Sequence, residues 1–409
     1  MFTGKPKEQD PSDRATFCAL GLQVLVNALV YSTYLARLPD LRTRAGVDLS
    51  TVAGIMTLGN LSGLCASLAA TRLAARFGSR AIMIWVAPVY VLALPLLTIA
   101  HGPVSLLGAV VLMMITNVIV DVAVTVQKAV FGARRGMPVM GRLSAVYSLG
   151  TLCGGLLAAA MATAKVAVTL HLAGLAVVIC AVLVRVRRGL LSDDAMPTQD
   201  DGGHDATRPV GGLRVLLVLA AVSALIVPLD IGPGEFATFR LRDDLHLAAA
   251  AAAVGYVCFT AGMLGGRLVS DRLSVVLGRR RLFAGGTAIA AAATVLFAVV
   301  GLPVAAYPGL VLAGLGCGVL APVLAEAASR IGDQHSGLRA MFVGNRLAGL
   351  LTPLLMGRLV GHGLPVGAAL ATVCLPCAAA ALVVGIWLFG RSLAGAQVRL
   401  RLPARENVP

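Results

Sequence analysis

Gly265 to Arg281 reads GGRLVSDRLSVVLGRRR. The stretch carries five arginines and one aspartate between two long apolar runs and ends in a glycine followed by three basic residues. A weaker copy, TRLAARFGSR, occupies Thr71 to Arg80. The Arg-Leu pair recurs at 72–73 and 267–268, an offset of 195 positions (267 − 72) in a chain of 409 residues. The spacing predicts two tandem halves, each with a basic loop after its second apolar segment.

Composition narrows the class. The chain is 58% hydrophobic and 13% charged, with mean hydropathy +0.88. A water-soluble domain of this length carries about 25% charged residues. The apolar runs repeatedly approach the ~20 residues that cross a bilayer as helix. They are continuous rather than alternating, which excludes a membrane barrel. The net charge of +15 is not a nucleic-acid signature, because the arginines cluster in short segments between apolar runs. That is where membrane topology places them. Eight cysteines are scattered singly except for Cys374 and Cys377. That pair has CxxC spacing, but no further ligand stands near it, so the cysteines read as small buried hydrophobes and no metal is expected.

Along the chain, residues 1–14 form a polar tail. Apolar segments follow at roughly 15–36, 49–71, 81–100, 104–127, 141–162 and 166–184, making an N-terminal six-helix bundle over 15–184. Residues 185–212 include SDDAMPTQDDGGHDATRP and predict a flexible linker. Segments at 213–236, 247–269, 281–301, 304–328, 338–360 and 364–389 make a C-terminal bundle over 213–390, followed by a tail at 391–409. The expectation is an all-α membrane protein of twelve transmembrane helices in two six-helix halves. Arg72, Arg76, Arg80, Lys128, Arg134, Arg135, Arg185, Arg187, Arg188, the group 267–281 and Arg391 fall on one side of such a topology. The other side has Arg37, Arg42, Arg44, Arg240 and Arg242, offset by Asp40, Asp48, Asp243 and Asp244. Both termini and the linker are therefore expected in the cytoplasm of a multi-pass inner (plasma) membrane protein.

Two six-helix halves with a basic loop after helices 2 and 8 resemble the major facilitator superfamily. The hallmark of that loop is a glycine, a leucine, an Asp-Arg pair and then Gly-Arg-Lys/Arg. The later loop matches it at Gly266, Leu268, Asp271, Arg272, Gly278, Arg279 and Arg280. The earlier loop keeps Leu73, Arg76, Gly78 and Arg80 but has Thr71 for the glycine and Ala75 for the aspartate. Leu38-Pro39 with DLRTRAGVDLS, NVIVDVAVTVQ (Asn117 to Gln127) and GRLSAVYSLGTLCGG (Gly141 to Gly155) are similar to a YbjJ-like bacterial subgroup. The resemblance implies alternating access by two rocking halves, with Asp271, Arg272, Gly266 and Arg279, and in weaker form Arg76 and Gly78, as a cytoplasmic gate. Charges that only set topology are the other reading of the loop. With Ala75 in place of the acid, the gate is expected to be asymmetric. Helices 1, 4, 7 and 10 line the cavity in this family, which singles out Asn27 and Tyr31.

Ionisable residues at membrane depth cost ~2.5–3.5 kcal/mol on insertion scales and are functional candidates by default. Asp121, with Asn117 one turn earlier on the same helix face, is the leading proton or cation site; a structural hydrogen-bonding role is the alternative. Asp230 and Glu235 lie in PLDIGPGEF, where Pro228, Gly232, Pro233 and Gly234 predict a broken helix. Asp230 is expected to face a cavity, and Glu235 either the cavity or the outer water boundary. Arg346 calls for an acidic partner or an anionic ligand, and Glu326 is the candidate partner. Asn60, Tyr147, Ser148, Tyr256 and Asn345 read equally as packing residues. Gly150-x-x-x-Gly154 reads as a close-packing helix face.

The chain has no GxxxxGK[ST], HExxH or GxSxG, so an ATP-driven pump and the common membrane hydrolases have no visible chemistry. No cofactor is expected. The expected function is proton-coupled secondary transport, exporting a small polar or amphiphilic metabolite or drug, with lipid, protons and a small molecule as partners and no nucleic acid. A monomer is expected. Uptake by proton symport is the alternative, as is a ligand sensor that moves nothing. The excess of Asp121, Asp230 and Glu235 over Arg346 points to cationic or neutral cargo.

Overall fold

A computed structural model describes residues 11–135, 140–191, 213–328 and 334–392. The expected terminal tails and linker lie outside them at 1–10, 192–212 and 393–409. Among the described residues the chain is all-helical. The first six helices are α1 (Pro11–Ala45), α2 (Leu49–Phe77), α3 (Ser79–Thr98), α4 (Pro103–Arg135), α5 (Met140–Thr163) and α6 (Val168–Val186). The second six are α7 (Leu213–Phe239), α8 (Ala249–Leu277), α9 (Arg279–Thr294), α10 (Pro303–Ala328), α11 (Gln334–Gly361) and α12 (Val366–Trp387). All 12 contain a stretch long and apolar enough to cross a membrane. Helix is forced there, because lipid offers the backbone no hydrogen-bond partners and a helix satisfies every internal N–H and C=O itself.

Most of the helices overrun the apolar segments that mark them. Helix α1 has 35 residues, about 52 Å at 1.5 Å per residue, against a hydrocarbon core of roughly 30 Å. Residues 265–281 are therefore not a loop. Helix α8 runs through Asp271 and Arg272 to Leu277, Gly278 alone breaks the path, and α9 starts at Arg279. The weaker copy does the same, with Gly78 between α2 and α3. Gly78 has φ 80° and ψ 145°, and Gly278 has φ 77° and ψ 151°. Only glycine occupies that region without strain, so one residue can end one helix and begin the next.

By contacts the chain divides into Met1–Val47 with Leu58–Gly202, and Asp48–Thr57 with Gly203–Pro409. In the first unit α5 lies on α1. A side chain at Gly150 would meet the Leu25 carbonyl and one at Gly154 the Leu29 carbonyl. Thr33 Oγ1 donates to the Gly154 carbonyl at 3.3 Å. In the second unit Gly262 and Gly266 of α8 face the carbonyls of Val311 and Leu315, while Gly314 and Gly318 of α10 face those of Phe259 and Met263. These are reciprocal small-xxx-small contacts, in which backbones approach because no side chain intervenes.

Each unit also buries an arginine near the end of its first helix. Arg37 pairs with Asp40 at 2.9 Å and donates to the Val166 carbonyl ahead of α6. In the second unit α7 ends in a π-turn, Arg240–Asp244. Arg240 pairs with Asp244 at 2.7 Å, and Asp244 accepts from the backbone N–H groups of Val366 and Gly367 at 3.1 and 2.8 Å. One carboxylate thus neutralises a buried guanidinium and caps α12.

Candidate functional site

Proline decides the second unit's polar centre. Pro228 and Pro233 lie inside α7, yet the helix continues unbroken from Leu213 to Phe239, contrary to the break expected from PLDIGPGEF. Proline lacks an N–H, so Pro233 leaves the carbonyl four residues back, Leu229, without its helical donor. Cys317 Sγ of α10 supplies that donor at 3.1 Å. Cys374 Sγ of α12 donates to the Pro228 carbonyl at 3.3 Å. The neighbouring helices therefore repair the disturbed turn, and α7 stays continuous.

Beside this turn is a cavity of about 60 Å³ with Asp230, Ser223, Cys317 and Asn345 as polar lining and Ile226, Val227, Leu320, Ala321 and Met341 as apolar wall. A water needs ~10–15 Å³ of such space, so a few waters or one polar group fit. A full cargo chamber is of order 300 Å³ or more, which makes this a polar subsite. Ser223 Oγ is committed to the Met341 carbonyl at 2.8 Å. Asp230 is exposed although deep in the span, as a cavity-facing group is, and the charge of Arg267 on α8 reaches it.

The first unit holds a second polar group. Asn117 and Asp121 follow one another by one turn on α4, Asp121 exposed and Asn117 half-buried. The Tyr90 hydroxyl on α3 has the Asn117 side chain, the Tyr147 phenol and Asp121 as neighbours. The Tyr90 hydroxyl also donates to the Asn27 carbonyl at 3.2 Å. Asn27 is 4% exposed, and its side-chain oxygen has no hydrogen-bond partner among the described residues. Lys128, two turns beyond Asp121, interacts with it electrostatically. Tyr31 is half-buried, with its ring 6.2 Å from that of Tyr34.

The basic ends take different partners from those the sequence suggested. Glu326, expected beside Arg346, pairs instead with Arg279 at 3.0 Å. It therefore belongs to the α9–α10 corner and not to the cavity. Arg346 is exposed on α11 next to Asn345, and only Asn345 lines the cavity. Glu235 is 6% exposed and does not line this cavity. Gly266 is required by close packing of α8 on α10. Arg272 is exposed, Arg76 lies 5.4 Å from the Phe77 ring centroid, and the side chain of Asp271 lies outside those described. The residues that sequence reasoning passed over are Tyr90, Arg267 and Cys317. Tyr90 gave no signal beyond a tyrosine in an apolar run. Arg267 reads in the sequence as a repeat marker and a topology charge, although it is the innermost arginine of its group. Cys317 could have been found by asking what replaces the donor missing at Pro233.

No protein-family model matches the chain. It is 23% identical over 329 residues to an uncharacterized MFS-type transporter of Yersinia pestis, covering 78% of this chain and 80% of that one. It is 28% identical over 365 residues to the membrane protein MosC of Rhizobium meliloti, covering 86% and 85%. Among solved structures, a mutant of the nucleoside transporter NupG superposes with TM-score 0.75 at 10% identity, over 91% of this chain and 98% of that one. A bacterial homologue of the human lysosomal transporter Spinster superposes with TM-score 0.69 at 13% identity, over 96% and 98%. The chain has the twelve-helix major facilitator fold that these structures share.

Proposed function

We propose that this chain is a secondary transporter of the major facilitator type that exports a small polar or amphiphilic molecule in exchange for protons. The observation that carries the reading is Asp230, a carboxylate at membrane depth opening on a polar subsite. Asp121 is its counterpart in the first unit, and the transporter names of the relatives point the same way. Protonation and release at Asp121 and Asp230 bias alternating access, in which the two halves rock about a central site. Asn27, Tyr31, Asn117 and Asn345 offer hydrogen bonds to cargo. Asp271, Arg272, Arg279 and Gly266, with Arg76 and Gly78, form the cytoplasmic gate, which the Arg279–Glu326 pair braces. The stretches at 38–50, 117–127 and 141–155 support membership of the YbjJ-like subgroup. It works as a monomer in the inner membrane, with both termini in the cytoplasm.

The test begins with a thermal-shift screen of the purified protein against metabolites, because any binder stabilises the folded state. The best binder is then followed in proteoliposomes under an imposed proton gradient. Asp230→Asn and Asp121→Asn should each abolish gradient-driven flux, and Asp271→Ala should impair it more than any single change in Thr71–Arg80. Gradient-driven flux unchanged in both carboxylate variants would sink the coupling mechanism. Binding without flux in the wild type would identify a sensor, and flux down the proton gradient would identify a symporter.

A further inference from the structure

We infer that Arg267 is the resident counter-ion of Asp230, and that this pair selects an uncharged, hydrogen-bonding cargo over an organic cation. The inference rests on the reading of Asp230 as part of the cargo path and adds the charge class that path accepts. Two contacts bring the α8 backbone at Arg267 against the cavity-lining turn of α10, and its charge is felt there. Cys317 lines the cavity and donates to the carbonyl of Leu229, the residue before Asp230. The next residue, Gly318, packs so tightly on α8 that a side chain there would come within 3.1 Å of the Arg267 backbone nitrogen. The charge of Arg267 reaches both Asp230 and Cys317.

The groups facing Asp230 leave the subsite balanced. Helix α8 contributes Arg267. Helix α10 contributes the Cys317 thiol, and α12 the Cys374 thiol beside it. Ser223 and Asn345 are neutral, and Glu235 stands five positions further along α7, off the cavity wall. One acid faces one base. A guanidinium offers several N–H donors and no acceptor, and a carboxylate offers acceptors only. An uncharged molecule carrying both O–H or N–H donors and acceptor atoms satisfies the two together. An incoming ammonium would have to share the carboxylate with a charge of its own sign. The first unit repeats the balance, because Lys128 interacts with Asp121. The acid excess that favoured cationic cargo in the sequence is thus offset in both units.

The cavity carries its own reporter in Cys317. The full-length protein in lipid nanodiscs is treated at pH 8.5 with three methanethiosulfonates of similar size, one cationic, one neutral and one anionic. The rate at Cys317 is read by peptide mass spectrometry, which separates it from the other cysteines. A cleft of one charge sign concentrates counter-ions by ~10–10³-fold. The cationic-to-neutral rate ratio should therefore rise about tenfold in Arg267→Gln, fall by a similar factor in Asp230→Asn, and return near wild type in the double variant. Arg267→Lys should keep the wild-type ratio. Ratios unchanged in both single variants would overturn the inference, as would a Cys317 that the neutral reagent never reaches. If Arg267→Gln does not fold, Asp230→Asn alone decides by the same criterion. No transport is measured, so the charge pairing can fail while Asp230 still carries flux, and the coupling reading can fail while the pairing stands.

Discussion

Replacing Asp244 by alanine strips three interactions at once. Arg240 is 6% exposed, and the side chains of the pair are 8% and 12% exposed, so solvent screens the ion pair little. Removing one partner of a buried pair costs about 3–5 kcal/mol, because the remaining charge stays desolvated without compensation. The N–H groups of Val366 and Gly367 lose their acceptor as well, worth about 1 kcal/mol as an N-cap. The expected loss for Asp244→Ala is therefore about 4–6 kcal/mol. Asp244→Asn keeps one acceptor oxygen and should fall between. Arg240→Met combined with Asp244→Asn should recover much of the loss, since no charge is then buried alone. The measurement is reversible unfolding in mixed micelles as a double-mutant cycle. An Asp244→Ala variant within about 0.5 kcal/mol of wild type, or strictly additive single changes, would refute the buried-pair account.

Three further outcomes are expected. Gly78→Ala and Gly278→Ala should each cost about 1–3 kcal/mol in the same unfolding assay, because both glycines hold positive φ near 80°, whereas Gly174, with open space at its Cβ position and no positive φ, should tolerate alanine. Cys317→Ala should cost about 1–2 kcal/mol by orphaning the Leu229 carbonyl. Cys317→Ser should not, and Pro233→Ala should rescue Cys317→Ala by restoring the helical N–H; without rescue, the carbonyl is not what the thiol serves. Asp48 heads α2, accepting from Ser50 Oγ and from the Thr51 N–H at 3.1 Å. The Ser50 hydroxyl first, then Thr51, holds its carboxyl below the ordinary 3.8. A lowered folded-state value means the stabilisation is complete above pH 3.8 and is lost as pH falls through the folded value. Ser50→Ala should therefore reduce that stabilisation and move the loss toward pH 3.8, read by NMR titration of Asp48 and the acid limb of thermal stability.

The basic stretch at 265–281 was legible as a repeat marker and as a helix boundary, because glycine before a run of arginines is a local signal. Its charge density suggests irregular backbone, yet the chain is helical on both sides of Gly278. Arginine is a good helix former, and one glycine of positive φ suffices for the turn. The prolines of α7 misled in the opposite sense. They do free a carbonyl, but the repair comes from Cys317 and Cys374, 88 and 146 positions away. Nearness along the chain suggests Arg346 for Glu326, but the fold pairs it with Arg279.

The sequence by itself determined the twelve spans, their grouping by the repeat and the acidic residues at membrane depth. Those follow from local physics: in lipid each segment must satisfy its own backbone, and the length and polarity of a run decide that without reference to any neighbour. Only the tertiary structure decided which charges and donors meet. Asp244 with Arg240 and the α12 terminus, Glu326 with Arg279, and the Tyr90 hydroxyl with the Asn27 carbonyl depend on register and approach. Apart from the i,i+4 spacing of Arg240 and Asp244, none of these contacts has a linear spacing to announce it. The stretch at 265–281 contains both kinds of information: Gly278 before three arginines marks a helix boundary in any context, while Gly266 meets the Leu315 carbonyl only once α8 lies against α10.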